Sequence, residues 1–345
     1  MSTRQKVASA SALTVLVAVG AFFLLGNRPA DIPVVGAVLE PSTCPLTGLE
    51  PHRESLLDQP AVAVKVENNA VAYPLSGLEK ADVVYEELVE GGLTRFMAIY
   101  HCTNASKVGP IRSSRTVDPA IMLPATRLLA AAGGNGIVRK VLSREDVILL
   151  DEPGSGEAMR RVERPGVTSE HTLYGDTAKL RAAGNKRFDD PPPDDIFRFG
   201  DLGSQGKRAR TITIEFSPAA NVSFSWSDGR WRRSDNGVPT EAETGEQLAA
   251  DNVVILQHEV NLSKTIVDVS GTPSIEIANP TGSGTAALFR DGRVFRGRWT
   301  RESTDEPVRL ETRAGDEMVL HPGTTWVELV PNNKGEVKGS FDYAK

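Results

Sequence analysis

Apolar and polar positions keep two different rhythms along this chain. From about residue 60 to 180, short apolar runs alternate with helix-spaced stretches. "AVAVKVEN" (61–68) reads as a strand, and "PLSGLEKA" (74–81) as a turn with a short helix. "DVVYEELVE" (82–90) and "LTRFMAIYHC" (93–102) flank Gly91-Gly92, the signature of a two-residue hairpin. "DPAIMLPATR" (118–127) starts as a helix, with Asp118 as N-cap and Pro119 first inside. A strand at 128–134, a helix at 135–143 and a strand at 146–151 follow. Beyond residue 210 the runs are short, alternating and rich in Val, Ile, Thr and aromatics, with "SDGR", "RDGR" and "RAGD" as turns. One short helix is expected at "TGEQLAAD" (244–251).

The pattern predicts an α/β layered N-terminal domain with a mixed sheet at 44–184 and a β-rich, sandwich- or barrel-like domain at 208–345. The Pro- and Asp-rich stretch 185–207 reads as the linker between them.

The N-terminus changes the picture. Residues 7–26 carry no charge and follow Arg4 and Lys6. Twenty helical residues would span roughly 30 Å, the thickness of a bilayer core. Segment 1–26 is therefore expected to be a transmembrane anchor with the bulk of the chain extracytoplasmic, or else a cleaved signal. Residues 27–43 read as a stalk.

Outside the cytoplasm, the two cysteines, Cys44 and Cys102, would form a disulfide from the start of the folded region to the end of a strand. The alternative is two unrelated buried thiols. Five scattered histidines offer no metal-ligand spacing, and no cofactor motif occurs. A net charge of −6 gives no global basic field for nucleic acid.

Candidate chemistry gathers in two places. With Gly91-Gly92 as a two-residue loop, Leu88 faces Arg95, and Glu86, Glu90 and Arg95 share one face. The other face then holds Val83, Tyr85, Glu87, Val89, Phe96 and Ala98. In "VGPIRSSR" (108–115), Arg112 and Arg115 follow a Gly-Pro corner with two hydroxyls between them. Such forks bind phosphate or carboxylate, or pair internally with a residue such as Asp118. The arginines of "RWRR" (230–233) are read as lying on a solvated outer face.

"VENNAVAYPLSGLEKADVVYEELVEGGLTRFMAIY", "KVGPIRSSR", "HTLYGDTAKL" and "GSGTAALFRDGRVFRGRW" together resemble the YerB-like proteins, a bacterial cell-envelope family of unassigned activity. The resemblance runs from residue 44 to 331 and implies a two-part, membrane-tethered protein. Many members are lipoproteins, but "EPSTC" offers no lipidation context, so a helix anchor fits the sequence better. A family His-Asn-Leu-Tyr reads His-Thr-Leu-Tyr here (171–174). Carried over by position, the ligand-binding candidates are Glu67, Asn68, Asn69, Arg95, Arg112, Arg115 and Tyr174, and the acid–base candidates are Glu86, Glu90 and His171.

The sequence thus predicts a protein that binds an anionic cell-wall component, such as a wall polymer, or an envelope protein partner through a polar Arg/Glu-lined cleft. The alternatives are an envelope hydrolase or transferase acting on a phosphorylated or glycan substrate, and a structural interaction module.

Overall fold

A computed structural model describes residues 42–203, 205–268 and 271–345. Its strands are β1 (Val62–Asn68), β2 (Val83–Leu88), β3 (Thr94–Tyr100), β4 (Leu128–Ala130), β5 (Ile148–Leu150), β6 (Thr211–Ser217), β7 (Ala220–Ser227), β8 (Arg230–Asp235), β9 (Asn252–His258), β10 (Gly282–Arg290), β11 (Arg293–Arg301), β12 (Arg309–Thr312), β13 (Thr325–Pro331) and β14 (Ser340–Ala344), with shorter pieces between.

One large sheet runs in the order β12-β11-β10-β9-β13-β2-β3-β1-β4-β5, and the short strand Lys207–Arg208 pairs with β11. β13 comes from near the C-terminus, yet it lies parallel to both β9 and β2 and joins the two halves of the chain. All seven of its residues are buried, as are all seven of β1. This burial explains their nearly unbroken apolar runs, because a strand covered on both faces cannot alternate.

A second sheet, β8-β7-β6-β14, covers one face of the first. β6 does alternate: Ile212, Ile214 and Phe216 point inward, while Thr211, Thr213 and Glu215 are exposed. The two sheets meet through Phe224 and Trp326, 6.0 Å apart, and Trp231 and Phe289, 5.8 Å apart, both edge to face. Each such buried aromatic contributes roughly 2–3 kcal/mol through area removed from water. The opposite face is covered by α1 (Asp118–Met122) and by irregular chain carrying Ile196, Phe197, Phe199 and Leu202.

The α/β expectation is therefore corrected. The described residues are mostly β, and their α-helices, α1, α2 (Gly136–Arg144) and α3 (Thr177–Gly184), are short. The helix expected over 118–127 ends at Met122 because Pro124 has no N–H to continue it. No helix forms at 244–251, where Leu248 and Ala250 pack into the core and Ala249–Ala250 pairs with β8. The transmembrane helix expected at 7–26 is not supported. It falls outside the described residues, and among those residues no helix is long and apolar enough to cross a membrane.

Cys44 and Cys102 form a disulfide with 6.1 Å between Cα atoms. It ties the first described residues to the end of β3 across 58 positions. Restricting the unfolded chain over that span contributes about 4 kcal/mol.

Candidate functional site

The hairpin register decides which side chains meet. Val89 N–H bonds to Leu93 C=O at 2.7 Å, so the connection is longer than the two-residue turn expected from Gly91-Gly92. Glu87, not Leu88, lies opposite Arg95, and Glu86 lies opposite Phe96. The one-position slip exchanges the faces. Glu86 lies with Phe96 and Ala98 under the second sheet, while Arg95 lies on the other side with Glu87.

On that other side, the 108–115 loop wedges itself beside the end of β1. Arg112 N–H bonds to Lys65 C=O at 2.9 Å, and Ala132 N–H bonds to Arg112 C=O at 3.0 Å. The loop therefore separates β1 from the chain leaving β4, opening a crevice at the C-terminal ends of two parallel strands, where ligand sites commonly form. Gly109 is required at the corner. Its φ is +144°, and a Cβ there would lie 2.8 Å from Leu173 O.

The result is a cleft of about 460 Å³ lined by Glu67, Asn68, Asn69, Glu90, Thr94, Arg95 and the Arg112–Arg115 loop, with Asn135, Asp268 and Ser274 completing the wall. Arg112 Nε lies 3.3 Å from Glu67, and its Nη1 donates to Glu170 C=O at 2.8 Å. Glu67 also takes His171 Nδ1 at 2.7 Å. Arg115 Nε donates to Glu90 at 3.0 Å, and its Nη1 donates to the carbonyls of Ser113 and Ser114 at 3.1 and 2.9 Å. Ser274 donates to the other oxygen of Glu90. Burial alone would raise the Glu90 pKa, but Arg115 and Ser274 outweigh it and hold the carboxyl below its usual range.

Arg95 is treated differently. Its Nη1 donates to Ser113 C=O at 3.0 Å, and among the described residues no carboxylate reaches it within 4 Å. Burial, then the charges of Arg115 and Arg112, push its pKa down to about 9. The Glu90 and Glu67 charges pull the other way but do not offset the fall.

A rigid back wall supports the loop. Lys65, fully buried, pairs with Glu87 and, at 2.6 Å, with Asp118. The second Asp118 oxygen accepts Arg115 N–H at 2.7 Å, which sets the arginine's backbone.

Beneath the second sheet lies a separate ensemble. Arg233 donates to both oxygens of Glu86 at 2.9 Å and to Thr240 at 2.7 Å. Asn68 donates to Thr94 at 2.7 Å and accepts from Tyr73 Oη at 2.6 Å. Glu328 on β13 is the register partner of Glu86, and its pKa stands well above the usual range through burial and then the Glu86 charge.

The cleft thus gathers Glu67, Asn68, Asn69, Glu90, Arg95, Arg112 and Arg115, with His171 joined to it through Glu67. Glu86 lies on the far side of the sheet. Tyr174 lines a different cavity, with Lys107 4.6 Å above its ring. Reading the sequence missed Lys65 and Glu328, gave Glu87 no role beyond a place on the core face, and put Arg233 on a solvated outer face, whereas it is fully buried against Glu86. Lys65 had a visible signal, as a lone cation inside an otherwise apolar run. In β8 the signal was the two-residue spacing that puts Arg233 on the same face as buried Trp231.

Comparison with known proteins gives a consistent answer. Residues 46–190 match the family described as "Protein of unknown function (DUF3048) N-terminal domain", and residues 212–327 match its C-terminal domain. "Putative lipoprotein YerB" of Bacillus subtilis (strain 168) is 28% identical over 302 residues, covering 84% of this chain and 86% of that protein. The crystal structure of the YerB protein from Bacillus subtilis superposes with a TM-score of 0.70 at 23% identity, covering 87% of this chain and 99% of that one, and so shares the fold. The chain belongs to this two-part, YerB-like family.

Proposed function

We propose that this YerB-like chain is an extracytoplasmic, membrane-held protein whose cleft binds an anionic group of a cell-envelope component. The observation that carries the reading is Arg95, a cation with no carboxylate within 4 Å among the described residues, between two arginines whose carboxylates are already engaged. A ligand carboxylate or phosphate would complete the set through bidentate bonds. The N-terminus of α2, capped by Asn135, borders the same cleft and adds favourable potential. The disulfide and the relative named as a lipoprotein support an extracytoplasmic location.

The test is thermal unfolding in rising inorganic phosphate and pyrophosphate. Ligand at about 100 times its Kd should stabilise the wild type by about 2.7 kcal/mol. Arg95→Gln should lose that increment while keeping its fold. Equal stabilisation of both proteins would overturn the reading. For location, protease added to intact protoplasts should digest the chain, and full protection would reject an extracytoplasmic site.

One observation favours a second reading, an envelope hydrolase: the 2.7 Å Glu67–His171 contact beside the arginines, an arrangement suited to proton transfer. Glu90, held ionised by Arg115, suits clamping rather than acid catalysis. Turnover of a phosphodiester or glycoside substrate that is lost in His171→Gln would establish this reading, and turnover unaffected by it would remove it.

A further inference from the structure

A second cavity, of about 520 Å³, opens on the far side of a ridge made by Asn68, Asn69, Leu93 and Thr94. All four residues line both cavities. The linings are chemically opposite. The first holds three arginines, whereas the second is lined by no Lys or Arg at all. Beyond the ridge its polar groups are Tyr73, Asn236, Thr240 and the Asp235 carboxylate, and its apolar surface includes Leu93, Ala219, Val238 and Pro239. Val238 is 66% exposed and so presents its apolar side chain to the groove and to solvent. On the ridge itself, the Asn69 side chain makes no hydrogen bond to the described residues and does not cap the turn that follows it.

Resting on the anion reading above, we infer that the two cavities together form one extended site for an acidic saccharide. The acid group sits among Arg95, Arg112 and Arg115, and a neutral, hydroxyl-rich ring crosses Asn69 into the second groove. A second anion is disfavoured there, because the groove is lined by the Asp235 carboxylate, while the arginine that pairs with it, Arg233, is fully buried and lines no part of the groove. Hydroxyls fit its amides and carboxylate, and the C–H face of a sugar ring fits Leu93 and Val238.

Calorimetric titration of the full chain with three probes tests this: glucuronate, a glucuronate–N-acetylglucosamine disaccharide, and the neutral disaccharide diacetylchitobiose. The acidic disaccharide should bind at least tenfold more tightly than glucuronate, and the neutral one at least tenfold more weakly than the acidic one. Asn69→Ala, and Val238→Ser in the second groove alone, should each remove most of the tenfold gain, and Val238→Ser should leave glucuronate affinity within twofold. If glucuronate and its disaccharide bind the wild type equally, the extended site fails while the anion cleft stands. The extended site fails likewise if glycerophosphate diesters or an acidic dipeptide show the tenfold gain instead. If none of the acidic probes binds, the anion reading fails as well.

Discussion

Strands β1, β2 and β3 present charged or polar residues to both of their faces, at adjacent positions. Asn68, Glu86 and Thr94 point one way, and Glu67, Glu87 and Arg95 point the other. Beneath the second sheet, Arg233 brings the counter-charge, and its guanidinium also lies 5.1 Å from the Phe96 ring and 5.5 Å from Trp326. Glu86 there accepts from Arg233, Thr94 and Asn68. On the other face a loop supplies two more cations, Arg112 and Arg115, beside Arg95. Polarity alone therefore does not mark a binding site. What separates the two faces is whether the covering element brings a counter-charge to the group below it, as Arg233 does for Glu86, or sets like charge beside it, as Arg112 and Arg115 do for Arg95.

The largest effect should come from the neutralised face. Arg233→Met would leave Glu86 and Glu328 without their cation in a buried space, and Asp235 without it at the groove's edge. Removing one member of such a buried pair costs about 3–5 kcal/mol. Urea unfolding should register that loss, with no effect on anion binding in the cleft beyond the fraction unfolded. A loss below about 1 kcal/mol would mean that the two faces are not different in kind.

How much of this contrast was legible in the sequence depends on the residue. The Gly-Pro corner with two spaced arginines pointed to the loop that carries Arg112 and Arg115, but left open anion binding or internal ion pairs, and both arginines do pair internally, with Glu67 and Glu90. The disulfide was legible too, from only two cysteines in a chain read as exported. The division of faces was not. Gly91 and Gly92 both take positive φ, 72° and 74°, but inside a longer turn, and a one-residue slip reassigns every side chain along the hairpin. Periodicity could not correct the error, since β2 buries carboxylates on both faces, Glu86 at 0% and Glu87 at 2% exposure. The insertion of β13 between β9 and β2 was invisible for a similar reason: a strand buried on both sides shows its burial but not its neighbours.

A smaller effect should come from the back wall of the cleft. Burial raises the Glu87 pKa to about 7, against the pull of Lys65, and the Asp118 charge adds to the rise. A carboxyl whose folded pKa exceeds its unfolded one stabilises fully below about 4.5, and that contribution disappears as pH climbs through 7. His101 and His258, both pushed down to about 4 chiefly by burial, act oppositely between pH 4 and 6.5, so the wild-type curve mixes the two slopes. Comparison with Glu87→Gln isolates one of them. The stability of the variant relative to wild type should improve from pH 5 to 7.5, by on the order of 2 kcal/mol. A difference independent of pH would show that Glu87 stays ionised and that the buttress is an ordinary ion pair.

The smallest change, and the one with an unusual sign, belongs to Arg95. Its charge is opposed by burial and by Arg115 and Arg112 more than Glu90 and Glu67 favour it, and its one hydrogen bond among the described residues goes to a carbonyl that Arg115 also satisfies. Arg95→Met should therefore leave the ligand-free protein unchanged or stabilise it, by up to about 1 kcal/mol at neutral pH. The pH dependence has a definite direction. Between about 9 and 12.5 the folded wild type releases a proton that the unfolded chain retains, so wild-type stability from this group rises across that range. The advantage of the methionine variant should then be largest below pH 9 and shrink above it, up to the alkaline limit of reversible unfolding. A destabilisation greater than about 1 kcal/mol, unaffected by pH, would make Arg95 a structural cation like Arg233 and erase the difference between the two faces.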